Sequence, residues 1–96
     1  VVAVNADLTP AEARRVAIMA QDGIARAIRP VHTPVDGDII FVMATGRVSL
    51  GAENRAARIA WLGSLAADCV ARSVARGVYE AESLGGIASY RERHGK

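Results

Sequence analysis

The sequence predicts a layered α/β fold whose elements run strand, helix, strand, helix. Three observations predict it. Ile39 to Ala44 is an unbroken apolar run, the pattern of a strand covered on both faces. Two longer stretches, one on each side of it, repeat apolar residues at three- and four-residue steps, the period of a helix with one buried stripe. Thr9-Pro10-Ala11-Glu12 carries the chemistry of a helix start. Alternating strands and helices pack as a helical layer on a sheet.

Val1 to Val4 is a short β-branched run and reads as the first strand, ended by Asn5, Ala6 and Asp7. In the first helix Thr9 caps the free N–H groups, Pro10 suits the first helical position, and Glu12 is placed to complete a capping box. Val16, Ala20, Ile24 and Ile28 trace its buried stripe. Gly23 costs about 1 kcal/mol against alanine inside a helix, which points to close packing or a local bend. Residues 30–37 form a loop stiffened by Pro30 and Pro34, and Asp38 leads into the second strand. Thr45 to Gly51 reads as a connection. The second helix runs from about Glu53 to Ala81 on a stripe of Ile59, Leu62, Ala66, Cys69 or Val70, Val74 and Val78. Gly63, Ala67, Ala71 and Ala75 are small enough to let another element approach closely. Gly85-Gly86 breaks the chain, and Ser89 to Lys96 reads as a polar tail. Two strands do not make a stable sheet, so further strands are expected from another chain or segment.

Ninety-six residues make a single domain at most, and 51% of them are apolar. So rich a small chain is expected to bury surface against a partner. The formal net charge is +2, and Lys96 is the only lysine. The arginines are interspersed with Glu and Asp and accompanied by few aromatics, which argues against nucleic-acid binding. Cys69 is the one cysteine, so no internal disulfide forms. It reads as a small helix hydrophobe in a reducing, cytoplasmic setting. No apolar run is long enough to span a membrane, and no signal peptide opens the chain.

Functional side chains are densest from Arg29 to Asp38, on the Pro-stiffened loop that feeds the apolar strand. Asp36 and Asp38 stand two residues apart. A turn at Gly37 lets the carboxylates converge, and an extended segment puts them on one face. Two close carboxylates raise one another's proton affinity and can pass protons to an amine or hydroxyl. The plainer interpretation is a turn, since Asp-Gly is a turn signal. His32 is a further candidate base or ligand, but His32, Asp36 and Asp38 have no recognised zinc spacing, so no metal and no cofactor is expected. Cys69 lacks an activating environment, and Ser64 sits within a helix rather than on a nucleophile elbow.

The segment from Ala20-Gln21-Asp22-Gly23 through Arg29-Pro30-Val31-His32-Thr33-Pro34-Val35-Asp36-Gly37-Asp38 to Ala44-Thr45-Gly46 resembles the small subunit of a self-cleaving amidohydrolase family. That family comprises L-aminopeptidase/D-esterases, β-peptidyl aminopeptidases and hydrolases of aminohexanoate (nylon) oligomers. Val1 to Leu8 and Gly85 to Arg91 are similar to it as well. The resemblance implies a four-layer αββα sandwich, of which this chain is the C-terminal, small-subunit part. It also implies a large N-terminal subunit from the same precursor as partner, with four αβ pairs assembling together. The precursor cleaves itself and exposes a Thr or Ser, whose hydroxyl attacks a small amide, peptide or ester while its α-amine serves as base. By the family's spacing to Asp36, this nucleophile belongs about four residues before Val1, outside the sequence. Asp36 and Asp38 match the acidic pair of the nylon-hydrolase-like branch, Asp36 to orient the amine and Asp38 to move the proton. Gln21 stands where the resemblance calls for a histidine and takes no role. The alternatives are a non-catalytic subunit or binding module that keeps the fold without the nucleophile, and a related acyltransferase.

Overall fold

The computed structural model describes residues 1–95. Strand β1 (Val2–Ala6) leads into helix α1 (Pro10–Ala27), strand β2 (Val42–Val48), helix α2 (Arg55–Glu80) and a short helix α3 (Tyr90–His94). The chain is thus mixed α/β in the order strand, helix, strand, helix, with α3 added.

Helix α1 begins as its sequence dictates. The Thr9 hydroxyl accepts from the Glu12 N–H at 3.2 Å, and the Glu12 carboxylate accepts from the Thr9 N–H at 2.9 Å. Both halves of the capping box are therefore made, with Pro10 at the first helical position. The stripe of Val16, Ala20 and Ile24 is buried. It packs on α2 at Ile59, Gly63, Ala66 and Ala67, which are also buried. Gly23 is the point of closest approach. A Cβ there would run into the Ala67 carbonyl oxygen and come within 2.8 Å of the Val70 Cβ.

The two strands are parallel, with Val2 opposite Val42, Ala3 opposite Met43 and Val4 opposite Ala44. A bulge then shifts the register, so that Ala6 pairs with Val48. Alternation turns Val2, Val4 and Ala6 toward the helices and leaves Ala3 and Asn5 exposed.

The structure corrects several expectations. β2 starts at Val42 and runs through Thr45-Gly46-Arg47 to Val48, where a connection was expected, whereas Ile39 to Phe41 only lead into it. Pairing with β1 sets these limits: β1 itself continues through Asn5 and Ala6, and a longer partner draws the polar residues of β2 into the ladder. Within this chain β2 is covered on one face, and Phe41 and Met43 on the other are 61% and 55% exposed. Cys69 is exposed, not buried: it lines an open groove with Val1 to Val4. Val78 is exposed because α2, with 26 residues against 18, outruns α1. The expected polar tail contains α3, capped by the Ser89 hydroxyl accepting from the Glu92 N–H. Arg91 lies over the Tyr79 ring at 5.5 Å and joins α3 to the end of α2. Lys96 lies outside the described residues. Among these residues no helix is long and apolar enough to cross a membrane.

Candidate functional site

The loop between α1 and β2 is built by local chemistry. A cis peptide joins Arg29 to Pro30. The Asp36 N–H donates to the Thr33 carbonyl at 3.0 Å and closes a turn with Pro34 at its first corner. Pro suits that corner because its ring presets φ. His32 takes a left-handed conformation, φ 55°, and its N–H points into the loop.

Asp36 holds this loop together. One carboxylate oxygen accepts from the Asp38 N–H at 2.9 Å and the other from the His32 N–H at 2.9 Å. These two backbone donors, the Asp38 N–H foremost, hold the Asp36 carboxyl below its usual range, and the nearby His32 acts in the same direction. The direction corrects the expectation that paired carboxylates raise one another's proton affinity. Asp36 instead stays an anion, since donors on both oxygens favour its charged form. It is half-buried, and Asp38 and His32 are exposed. The structure thus brings Asp36 and Asp38 together through the carboxylate of one and the main chain of the other, and Asp38 is exposed. His32 contributes its main chain to the arrangement. Among the described residues no three His, Cys, Asp or Glu side chains gather as a metal site.

The parallel pairing decides where this loop lies. Both strands begin at the same end of the sheet, and the Val2 N–H donates to the Phe41 carbonyl at 2.8 Å. Asp36 and Asp38 therefore sit at the end where β1 starts. A groove of about 530 Å³ between α1 and α2 lies elsewhere, lined by Arg15, Met19 and Ile59 among others, and neither aspartate borders it.

At the opposite end of the strands is a polar cluster that the sequence did not reveal. The Arg55 guanidinium donates to both Glu12 oxygens, at 2.8 and 3.0 Å, and to the carbonyls of Gly51 and Asp7. The Asp7 carboxylate accepts from the Leu50 N–H at 2.6 Å. Arg55 lowers the Glu12 pKa from 4.5 to about 2, and Glu12 in turn raises that of Arg55. The only signal in the sequence was the capping box, which accounts for Glu12 locally and says nothing of an arginine 43 residues away. The cluster ties the ends of β1 and the loop after β2 to the two helix starts.

Comparison with known proteins adds the following. The profile of Peptidase family S58 matches residues 1–91. An uncharacterized aminopeptidase of Mycobacterium bovis is 45% identical over 100 residues, which cover 96% of this chain and 29% of that protein. One from Mycobacterium tuberculosis matches to the same extent. One from Mycobacterium leprae is 46% identical over 98 residues, covering 94% of this chain and 27% of its own length. The chain spans less than a third of the curated relatives that it matches.

Proposed function

The chain belongs to Peptidase family S58, and from that premise we propose that it is the C-terminal, small-subunit part of a self-cleaving amidohydrolase. In this proposal a Thr or Ser about four residues before Val1, freed by cleavage of the precursor, attacks small amide, peptide or ester substrates. An acyl-enzyme forms, and water releases it. The larger N-terminal part supplies most of the pocket, and four such pairs assemble together. In this reading the protein stands nearest to the nylon-oligomer hydrolases, which the acidic pair of Asp36 and Asp38 supports. The name aminopeptidase carried by the mycobacterial relatives supports a peptidase-type reaction.

The observation that carries this proposal is the strand register. Val2 pairs with Val42 and Ala3 with Met43, a constant offset of forty positions (42 − 2 and 43 − 3). The Val2 N–H still bonds the Phe41 carbonyl, so the start of β1 and the loop of Asp36 and Asp38 lie at the same end of the sheet. A nucleophile a few residues before Val1, where the family's spacing puts it, would approach that loop, which supports the reading. An ionised Asp36, pinned by two N–H groups, suits it to hold an ammonium or orient an amine, since each oxygen keeps a further acceptor site. Asp38, exposed and with its N–H held by Asp36, suits proton transfer.

Intact masses and N-terminal sequences of every chain in the purified native protein test the proposal. The expected result is a small chain starting with Thr or Ser about four residues before Val1, beside a larger chain. An uncut protein, or a small chain with no Thr or Ser at its start, would overturn it in favour of a subunit that keeps the fold without the nucleophile.

A further inference from the structure

Among the described residues, His32 and Asn54 are the residues other than glycine that take a positive φ. Gly46, Gly51, Gly85 and Gly86 occupy the other such positions. A side chain there is uncommon, because its Cβ crowds the main chain, and the surrounding structure has to compensate. Burial of the imidazole does not compensate, since His32 is exposed. A hydrogen bond does. The left-handed turn, φ 55°, presents the His32 N–H to one oxygen of Asp36, four residues on, at 2.9 Å.

That bond differs in kind from the other one that Asp36 accepts. The Asp38 N–H, two residues on, is the ordinary partner of a turn aspartate. A carboxylate held by that donor alone keeps freedom to turn about its single contact. The His32 N–H binds the other oxygen, so neither side-chain torsion of Asp36 changes without breaking a bond. The Asp36 N–H, bonded to the Thr33 carbonyl at 3.0 Å, fixes the root of the same side chain. With a main-chain donor on each oxygen, the acceptor sites that remain point in set directions. Direction matters to a reaction, since a misplacement of about 1 Å can cost roughly a hundredfold in rate.

We propose that His32 is a positioning residue of the reaction described above: its left-handed main chain supplies the N–H that fixes the Asp36 carboxylate for the nucleophile's amine. What position 32 has to provide is a positive φ and that N–H. The imidazole adds only a nearby charge that, when protonated, favours the same anion. The inference rests on the hydrolase reading, which gives Asp36 an amine to orient.

The test uses the whole purified protein, with hydrolysis of an aminoacyl anilide measured per cleaved chain. His32→Gly and His32→Asn keep the N–H and tolerate the left-handed turn. His32→Val also keeps the N–H, but its branched side chain disfavours that turn and carries the N–H away from Asp36. His32→Gly and His32→Asn are expected to hold kcat within about threefold, while His32→Val lowers it at least about tenfold and changes KM by less than about threefold. Equal losses in all three would assign the role to the imidazole and overturn the proposal, as would full kcat in His32→Val. Where His32→Val blocks self-cleavage, the unaltered protein decides. Hydrogen exchange resolved to single residues is expected to show its His32 amide, on an exposed residue, exchanging at least about tenfold more slowly than in the unfolded chain. Free exchange there in an active enzyme sinks the positioning role alone. A protected His32 amide in a protein that stays uncut and hydrolyses no anilide sinks the hydrolase reading and leaves the clamp on Asp36 in place.

Discussion

Asp36 does two jobs that usually compete. Its carboxylate folds the loop by accepting from His32 and Asp38, and under the proposed function it also faces the nucleophile's amine. Substitution separates them. Asp38→Ala removes a carboxylate without touching the bonds that Asp36 makes to the main chain, so it is expected to cut self-cleavage or turnover by about a hundredfold or more, as loss of a general acid or base should. Asp36→Ala is expected to cost at least as much and to loosen the loop as well, seen as faster exchange at the His32 and Asp38 amides. A loss below about threefold in both variants would return these residues to the turn that Asp-Gly signals. The Glu12 carboxylate gives a prediction with a pH signature. Its folded pKa is depressed from 4.5 to about 2 by Arg55 and the Thr9 N–H. Its contribution is therefore complete above pH 4.5 and is lost as pH falls toward 2. The thermal midpoint of Glu12→Gln should lie below that of the unaltered protein at neutral pH, and the gap should close across that acidic window. A gap of constant size from neutral pH to pH 2 would show that the Arg55 pair contributes nothing.

At the scale of elements, the contact of α1 with α2 rests on absent side chains. Gly23 lies against the Ala67 carbonyl and Val70, and Gly63 lies under Met19, whose Cβ is 3.0 Å from where a Gly63 Cβ would stand. Gly23→Ala would gain about 1 kcal/mol of helix propensity but overpack a backbone oxygen, which costs about 1–3 kcal/mol. Net destabilisation in a denaturant titration is expected. Gly77 is the control, on the overhanging part of α2 with open space around its position. Gly77→Ala should stabilise by up to about 1 kcal/mol. If Gly23→Ala stabilises equally, the close approach of the two helices is wrong. Here the sequence was informative: the small residues at Gly63 and Ala67 pointed to close packing, and Gly23 to packing or a bend. It misjudged β2, because apolarity marks residues that become buried, while strand limits follow hydrogen bonds to β1. Ile39 and Phe41 are apolar yet precede the strand, and Thr45-Gly46-Arg47 is polar yet belongs to it.

At the scale of the whole molecule, the radius of gyration is 16.2 Å, where a compact domain of a hundred residues has about 13 Å. The chain is long and thin, 52 × 29 × 20 Å, and carries exposed Phe41, Met43, Trp61, Leu84 and Ile87. Under the proposed function, this apolar surface is what the larger part of the precursor would cover. Under the proposed function, the chain expressed without the larger part of its precursor is expected to self-associate on size exclusion and to melt well below the complete protein. A monomer with the stability of the complete protein would count against the larger partner.

The sequence by itself determined the element types and their order, the capping of α1, the small residues that let the helices close, and the loop on which the acidic pair stands. These are legible because each is written in neighbouring residues, as a period, a cap or a turn. Only the tertiary structure decided the rest. It showed that two main-chain N–H groups pin the Asp36 carboxylate and favour its charged form, that Arg55 reaches back to Glu12, and that β1 and β2 run parallel, with the start of β1 at the same end of the sheet as the loop. Each of these depends on partners that the fold brings together, and no local pattern records which donor or which strand they will meet.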